Sequence, residues 1–139
     1  MADSVRDMMT PDPVQLQMTD SVQEAAQRMR AQDIGDVLVV DGERVCGILT
    51  DRDITVRAVA DGVDPAALRV GDICSGDILT VAPTDTAAEA VQRMREAAVR
   101  RVPVVEEGRA VGVVSIGDLA IELDADSALA DISDAPPNR

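Results

Sequence analysis

The sequence predicts a mixed α/β fold built from two tandem repeats, each with the element order β-α-β-β-α. The first observation is an internal repeat, because at an offset of 65 positions the chain aligns with itself without a gap from Val5 to Gly62. The second is that short apolar segments alternate with helical patterns inside each copy. A unit of this size buries too little surface to be stable alone, so we expect two pseudo-twofold-related copies packed through their sheets.

Each copy is predicted to contain the same succession of elements. In the first copy these are a leading segment at 5–9, a strand at 15–17, a helix capped by residues 19–21, strands at 37–40 and 44–49, and a helix at 52–60. In the second they are a leading segment at 70–74, a strand at 79–82, a helix capped by residues 84–86, strands at 102–105 and 109–114, and a helix at 117–123. Helical spacing, Ser/Thr/Asp caps and hairpin turns at 41–42 and 107–108 justify these assignments.

The repeat also sets the predicted domain boundaries. Repeat 1 occupies residues 1–62, a linker containing Pro65 occupies 63–69, and repeat 2 occupies 70–123. Residues 124–139 form an acidic tail of small residues, which we expect to be disordered.

One duplicated motif joins the last strand of each copy to its last helix. It contains Thr50 and Asp53 in the first copy and Ser115 and Asp118 in the second. The start of a helix presents unpaired N–H groups to an anion such as phosphate, a hydroxyl can bond that phosphate, and a carboxylate can accept the hydrogens of a ribose diol. The motif therefore indicates two half-sites for a nucleotide. The same pattern is also a capping box, which is needed simply to start a helix.

Composition excludes several classes of function. The chain has no His, Phe, Tyr or Trp, and all 13 of its basic residues are Arg. Histidine-based catalysis, a P-loop lysine and aromatic stacking of single-stranded nucleic acid are therefore excluded. The net charge of −13 disfavours nucleic acid and anionic membranes as partners. With no signal peptide or membrane-length apolar run, and with Cys46 and Cys74 in no metal-binding spacing, we expect a cytoplasmic protein without a metal site.

The duplicated order, the two Gly-h-h-Thr/Ser-x-x-Asp motifs and the segment 102–105 resemble a pair of CBS domains, the Bateman module. The likeness covers nearly the whole chain, from Val5 to Leu123. It is greatest to small stand-alone bacterial CBS-pair proteins, in which a run like 50–54 precedes a linker like 62–65.

The resemblance implies a non-enzymatic regulatory module that binds an adenine nucleotide between the repeats and forms a homodimer through its helices. In such a module the motif Asp holds the ribose, its Thr or Ser helps with phosphate, and the first short strand receives the adenine. The ligand-binding residues that this implies, together with the basic residues near them, are Gln15, Leu16, Thr50, Arg52, Asp53, Thr80, Val81, Arg100, Arg101, Pro103, Ser115 and Asp118. The ligand could be AMP, ADP, ATP, NAD or S-adenosylmethionine.

The two copies differ at the residues before the central strand. Gly35 and Asp36 stand in the first copy where the second has Arg100 and Arg101. Because a guanidinium can bond phosphate bidentately, we expect one binding site to be much tighter than the other. Two alternatives remain, a structural partner-binding protein with vestigial clefts and a hydrolase that uses carboxylates and a metal, for which Asp51 and Asp53 are the candidate pair.

Overall fold

The computed structural model describes residues 4–76, 78–121 and 123. These residues form a mixed α/β structure with two three-stranded sheets, as the sequence predicts. The predicted tail at 124–139 lies outside the described residues.

The elements follow the predicted order except at two places, an additional short strand at Thr10–Pro11 and the absence of a strand at 79–82, and each leading segment forms a short helix. The helices are α1 (Val5–Met8), α2 (Val22–Gln32), α3 (Asp51–Ile54), α4 (Val70–Ile73), α5 (Ala87–Ala97) and α6 (116–121). The strands are β1 (Thr10–Pro11), β2 (Gln15–Gln17), β3 (Asp36–Asp41), β4 (Arg44–Thr50), β5 (Arg101–Glu106) and β6 (Arg109–Ser115). Helix α3 continues as one π-helical segment, Thr55–Val59.

The chain divides into two compact units. Unit I contains the described residues of Asp12–Ile78 and Glu107–Ala110, and unit II contains those of Met1–Pro11, Leu79–Glu106 and Val111–Arg139. Unit I therefore holds most of the first repeat, and unit II most of the second.

Each unit has its own sheet and its own apolar core. The sheet orders are β2-β3-β4 and β1-β6-β5, with β2 parallel to β3 and β1 antiparallel to β6. The two cores use equivalent positions of the repeat, such as Met29 and Met94 on the buried faces of α2 and α5. Since the core has no aromatic ring, it consists of branched aliphatic residues, Ala and Met.

The leading segments exchange units. Val5 on α1 is fully buried in the core of unit II, whereas Val70 on α4 is fully buried in the core of unit I. Backbone hydrogen bonds fix both arrangements, from Val5 N to the Asp85 carbonyl at 2.8 Å and from Val70 N to the Asp20 carbonyl at 2.8 Å. Each repeat thus supplies the first helix of the other repeat's unit.

One strand prediction is wrong. The segment at 79–82 forms no strand and makes only an isolated parallel bridge between Val81 and Val104. Its counterpart β2 pairs three residues with β3. The apolar pattern that predicts a strand is present in both copies, but only tertiary pairing decides how many residues join the sheet.

Within the part of the chain that the structure describes, no helix combines the length and apolar character needed to cross a membrane.

Candidate functional site

The predicted ligand-binding residues fall into two sets. Five belong to unit I, namely Gln15, Leu16, Thr50, Arg52 and Asp53. Seven belong to unit II, namely Thr80, Val81, Arg100, Arg101, Pro103, Ser115 and Asp118.

Sheet topology brings Arg100, Arg101 and the start of α6 to one end of the unit II sheet. Strand β5 begins at Arg101 beside the end of β6, and the N–H of Ile116 donates to the Arg100 carbonyl at 2.7 Å. Val81 runs parallel to β5, since its N–H donates to the Pro103 carbonyl at 3.2 Å and its own carbonyl accepts from Val105. The start of α6 and the two arginines therefore share one end of the unit II sheet, and the segment around Val81 lies alongside β5 at Pro103–Val105.

Ser115 is the N-cap of helix α6. Its hydroxyl accepts from the backbone N–H of Asp118 at 3.0 Å. Within the described part of the chain, the exposed carboxylate of Asp118 accepts no side-chain hydrogen bond and forms no ion pair. The carboxylate of Asp118 can therefore accept hydrogen bonds from a diol without losing an internal partner.

The other unit II residues of the predicted set differ in burial. Val81 and Pro103 are buried, Thr80 and Ser115 are half-buried, and Arg100 and Arg101 are exposed. Buried apolar atoms thus adjoin a charged, solvent-accessible edge.

In the equivalent motif of unit I, the side chains of Thr50 and Asp53 each bond the backbone N–H of the other residue. The Thr50 hydroxyl accepts from Asp53 N at 3.1 Å, and Thr50 N donates to Asp53 Oδ2 at 3.0 Å, which completes a capping box. The other carboxylate oxygen of Asp53 lies 4.0 Å from Arg57 Nε. Both oxygens of this carboxylate therefore already face partners inside the protein.

Charge at this end of unit I is also opposite in sign. Asp36 lies opposite Thr50 in the sheet, and Asp51 N donates to the Gly35 carbonyl at 2.9 Å. Carboxylates at 36, 51 and 53 thus surround the motif, where unit II has Arg100 and Arg101. Arg52 is exposed at the first turn of α3, and Gln15 and Leu16 lie on β2, exposed and buried respectively.

Sequence reasoning missed Arg57. Its guanidinium faces Asp53 and also donates from Nη1 to the Ile73 carbonyl at 3.2 Å, at the end of α4. The spacing of four residues between Asp53 and Arg57 on one helix is the sequence signal that could have indicated the pair.

One cleft of unit I lies at the hairpin end of its sheet. Its volume is about 330 Å³, and it is lined by Gln15, Gln17, Asp20, Val40, Gly42, Glu43, Arg109 and Ala110. Of the predicted ligand-binding residues it contains Gln15 alone, and Thr50 and Asp53 are at the other end of β4. The position of this cleft therefore does not identify the motif as a binding site, and the case for the motif depends on the chemistry of its residues.

The described residues contain no group of three or more His, Cys, Asp or Glu side chains placed to hold a metal ion. Cys46 and Cys74 are half-buried, and burial is the main cause that raises the pKa of both thiols.

Two equivalent α/β units, each with a hydroxyl-capped helix after its last strand, define a tandem-repeat α/β module. The family model of the CBS domain matches twice, at residues 5–59 and 70–125. The chain belongs to the CBS domain family, which confirms the resemblance found in its motifs.

Relatives and solved structures agree with this assignment. The CBS domain-containing protein YhcV of Bacillus subtilis is 35% identical over 134 residues, covering 94% of this chain and 95% of YhcV. Hypoxic response protein 1 of Mycobacterium tuberculosis is 36% identical over 121 residues, covering 86% of this chain and 85% of that protein.

The crystal structure of Hypoxic Response Protein I, which has two coordinated zinc ions, matches with a TM-score of 0.77 and 35% identity, over 86% of this chain and 98% of that chain. The CBS domain pair of protein MJ0100, in complex with 5′-methylthioadenosine and S-adenosyl-L-methionine, matches with a TM-score of 0.78 over 91% of this chain and 99% of that chain. At 23% identity, this second likeness concerns the fold alone.

Proposed function

We propose that this protein is a non-enzymatic regulatory module that binds one adenine nucleotide at the charged edge of unit II. The observation that carries the proposal is the convergence of Arg100, Arg101, Ser115 and Asp118 at one end of a single sheet. In a molecule with a net charge of −13, two adjacent arginines beside a helix start give a local environment suited to phosphate.

Each part of the nucleotide has a matching group. Arg100 and Arg101 bind the phosphate, because guanidinium groups form bidentate, charge-assisted hydrogen bonds. The carboxylate of Asp118 accepts from the ribose hydroxyls, and the Ser115 hydroxyl assists at the phosphate. The segment formed by half-buried Thr80 and buried Val81 receives the adenine, for which aliphatic side chains and backbone groups suffice.

The contacts at the equivalent edge of unit I favour a structural role for its motif. Its motif carboxylate is engaged by Thr50 N and faces Arg57, and carboxylates stand where unit II has arginines. These observations support the alternative of a vestigial, partner-binding cleft for unit I, and they lead us to expect one ligand per chain.

The proposal includes a homodimer. Val56 and Val59 after α3 and Ile121 on α6 are exposed apolar side chains, and Val56 and Ile121 occupy equivalent positions of the repeat. Covering such side chains with a second copy removes apolar surface from water. Sedimentation velocity should give the mass of a dimer, and replacing Val59 and Ile121 by Glu should shift it to that of a monomer. A monomeric wild-type protein would exclude this part of the proposal.

Calorimetric titration with AMP tests the site. We expect one AMP per chain, and Arg100→Ala/Arg101→Ala should weaken binding about ten- to a hundredfold, the effect of losing a charged hydrogen-bond partner. The matched control is Arg30→Ala/Arg95→Ala, which removes the same charge from exposed helical positions and should leave affinity nearly unchanged. Two equal sites, sustained AMP turnover or equal losses in both double variants would contradict the proposal.

A further inference from the structure

Arg93 on α5 connects two points of the loop that leads into that helix. Its Nη2 donates to the Thr80 carbonyl at 3.0 Å, and its Nη1 lies 3.3 Å from Asp85 Oδ2. The same Asp85 oxygen accepts from the Ala82 N–H at 2.8 Å. Arg93 and Asp85 therefore form a latch, here called the Arg93 latch, that closes the loop from Thr80 to Asp85.

The segment that the latch holds has little other support from the sheet. It is joined to β5 by the single bridge at Val81, whereas its counterpart β2 pairs three residues with β3. In unit I the side-chain amide of Gln17 adds two hydrogen bonds of 2.9 Å to the backbone of Gly42. Unit II has Ala82 at the position of Gln17 and cannot make these bonds.

The aligned arginine of the other repeat behaves differently. Arg28 and Arg93 occupy the same position of the identical Gln-Arg-Met-Arg sequences of α2 and α5. Within the described residues, Arg28 forms no ion pair and no side-chain hydrogen bond, although Asp20 accepts from Gln17 N at 2.8 Å just as Asp85 accepts from Ala82. The chain thus contains its own matched control for the latch.

We propose that Arg93 is a positioning residue that holds the segment at Thr80 and Val81 in the conformation that receives the adenine base. This inference rests on the proposed function, because that function assigns the base to this segment. Within the described residues, the side-chain hydrogen bonds of Arg93 go to Thr80 and Asp85, at the segment assigned to the base, so we expect Arg93 to affect binding of the base more than that of the phosphate.

The exposure of the latch argues against a role in overall stability. The side chains of Arg93 and Asp85 are 45% and 23% exposed, and ion pairs in such positions contribute little to the free energy of unfolding. Removing the guanidinium should therefore loosen the loop while the rest of unit II stays folded. Methionine is a suitable replacement, because it keeps the apolar stem and has nearly the same helix propensity.

Amide hydrogen exchange of the ligand-free, full-length protein tests the latch itself. In Arg93→Met, exchange at Val81 and Ala82 should become about tenfold faster, because loss of the two Arg93 contacts favours local opening of this loop. In Arg28→Met, exchange at Leu16 and Gln17 should not change. Unchanged exchange at Val81 and Ala82 in Arg93→Met would overturn the inference, whether or not the protein binds nucleotide.

Titrations with AMP and adenosine then test positioning. Arg93→Met should weaken both ligands by the same factor, about three- to tenfold, because both carry the base. Arg93→Lys should recover part of the loss, since an ammonium group can bond the Thr80 carbonyl but cannot fork to Asp85. If Arg93→Met weakened the binding of AMP but not of adenosine, the effect would come from the overall charge. If Arg28→Met weakened binding as much as Arg93→Met does, the effect would be nonspecific. Either result overturns the inference. If the wild-type protein binds neither ligand, the proposed function itself fails.

Discussion

Gly47 and Gly112, at equivalent positions of the repeated motif, are required by close packing. A Cβ atom on Gly47 would lie 2.7 Å from both Cys74 Sγ and the Ser75 carbonyl oxygen. A Cβ atom on Gly112 would lie 2.5 Å from Met9 Sδ and 2.9 Å from the Thr10 carbonyl oxygen. In both units a leading segment crosses the last strand at this point, so the glycine makes room for a neighbouring chain segment and not for a ligand.

Replacing either glycine with alanine should therefore destabilise the protein. We expect Gly47→Ala and Gly112→Ala each to lower the free energy of unfolding by about 1–3 kcal/mol, the cost of overpacking against a fixed backbone. Urea denaturation measures this change. Gly76→Ala is the control, because the nearest atom to its Cβ, the Cys46 carbonyl oxygen, would be 3.8 Å away. Equal stabilities of Gly47→Ala and Gly76→Ala would show that the packing at Gly47 can relax.

At the scale of elements, the exchanged helices α1 and α4 make each core depend on both repeats. Val5 and Val70 each have 0% exposure in a core built mainly from the other repeat. Fully burying one such side chain contributes roughly 1.5–3 kcal/mol, a sizeable share of the stability of a small domain. The boundary between the two sequence repeats is therefore not the boundary between the two packed cores.

The two copies of the motif also differ in how they cap helices α3 and α6. At the start of α3 the capping box is closed by the Asp53 side chain, whereas at the start of α6 only the Ser115 hydroxyl bond to Asp118 N is present. When the carboxylate of a cap bonds the backbone, it stabilises the start of the helix. When the carboxylate is exposed, it can also bind a ligand. We therefore attribute the proposed ribose contact to Asp118.

For the whole molecule, composition makes the dependence of stability on pH unusually simple. The chain has no His, Lys or Tyr, so between pH 8 and about pH 11 the thiols of Cys46 and Cys74 are the side chains that change charge. Burial raises the pKa of both thiols above the ordinary value of 9.0; the carboxylate of Asp41 adds to this for Cys46, and Cys46 adds to it for Cys74.

Stability should therefore fall as the solution becomes alkaline. A raised pKa means that the folded protein holds the thiol protons more tightly than the unfolded chain does. The resulting stabilisation is fully present below the ordinary thiol pKa and is lost as the pH rises through the pKa of the folded state. We expect the urea midpoint to decrease from pH 8 to pH 10.5. Cys46→Ala/Cys74→Ala should flatten this decrease, and an equally steep decrease in that variant would assign the effect to other groups.

Much of the fold was determined by sequence-local signals. The repeat follows from aligning the chain with itself at an offset of 65 residues. The helix caps Ser21 and Thr86 and the two hairpins follow from patterns of a few neighbouring residues, and the structure has the caps and the paired strands where these patterns place them. The family followed from the duplicated motif at Thr50 and Ser115, because its spacing is specific. The assignment of the twelve ligand-binding residues remains a prediction.

The tertiary structure alone decided which segments meet. No local pattern shows that Val5 packs in the core of unit II, that the segment at 79–82 keeps a single bridge, or that Arg93 bonds the Thr80 carbonyl. The placement of Arg100 beside the start of α6, in the same unit as Asp118, was equally open. Periodicity and capping report the preference of each segment for helix or strand. Contacts between residues far apart in the chain depend on which apolar faces and backbone groups can be satisfied together, and only the packed molecule determines that.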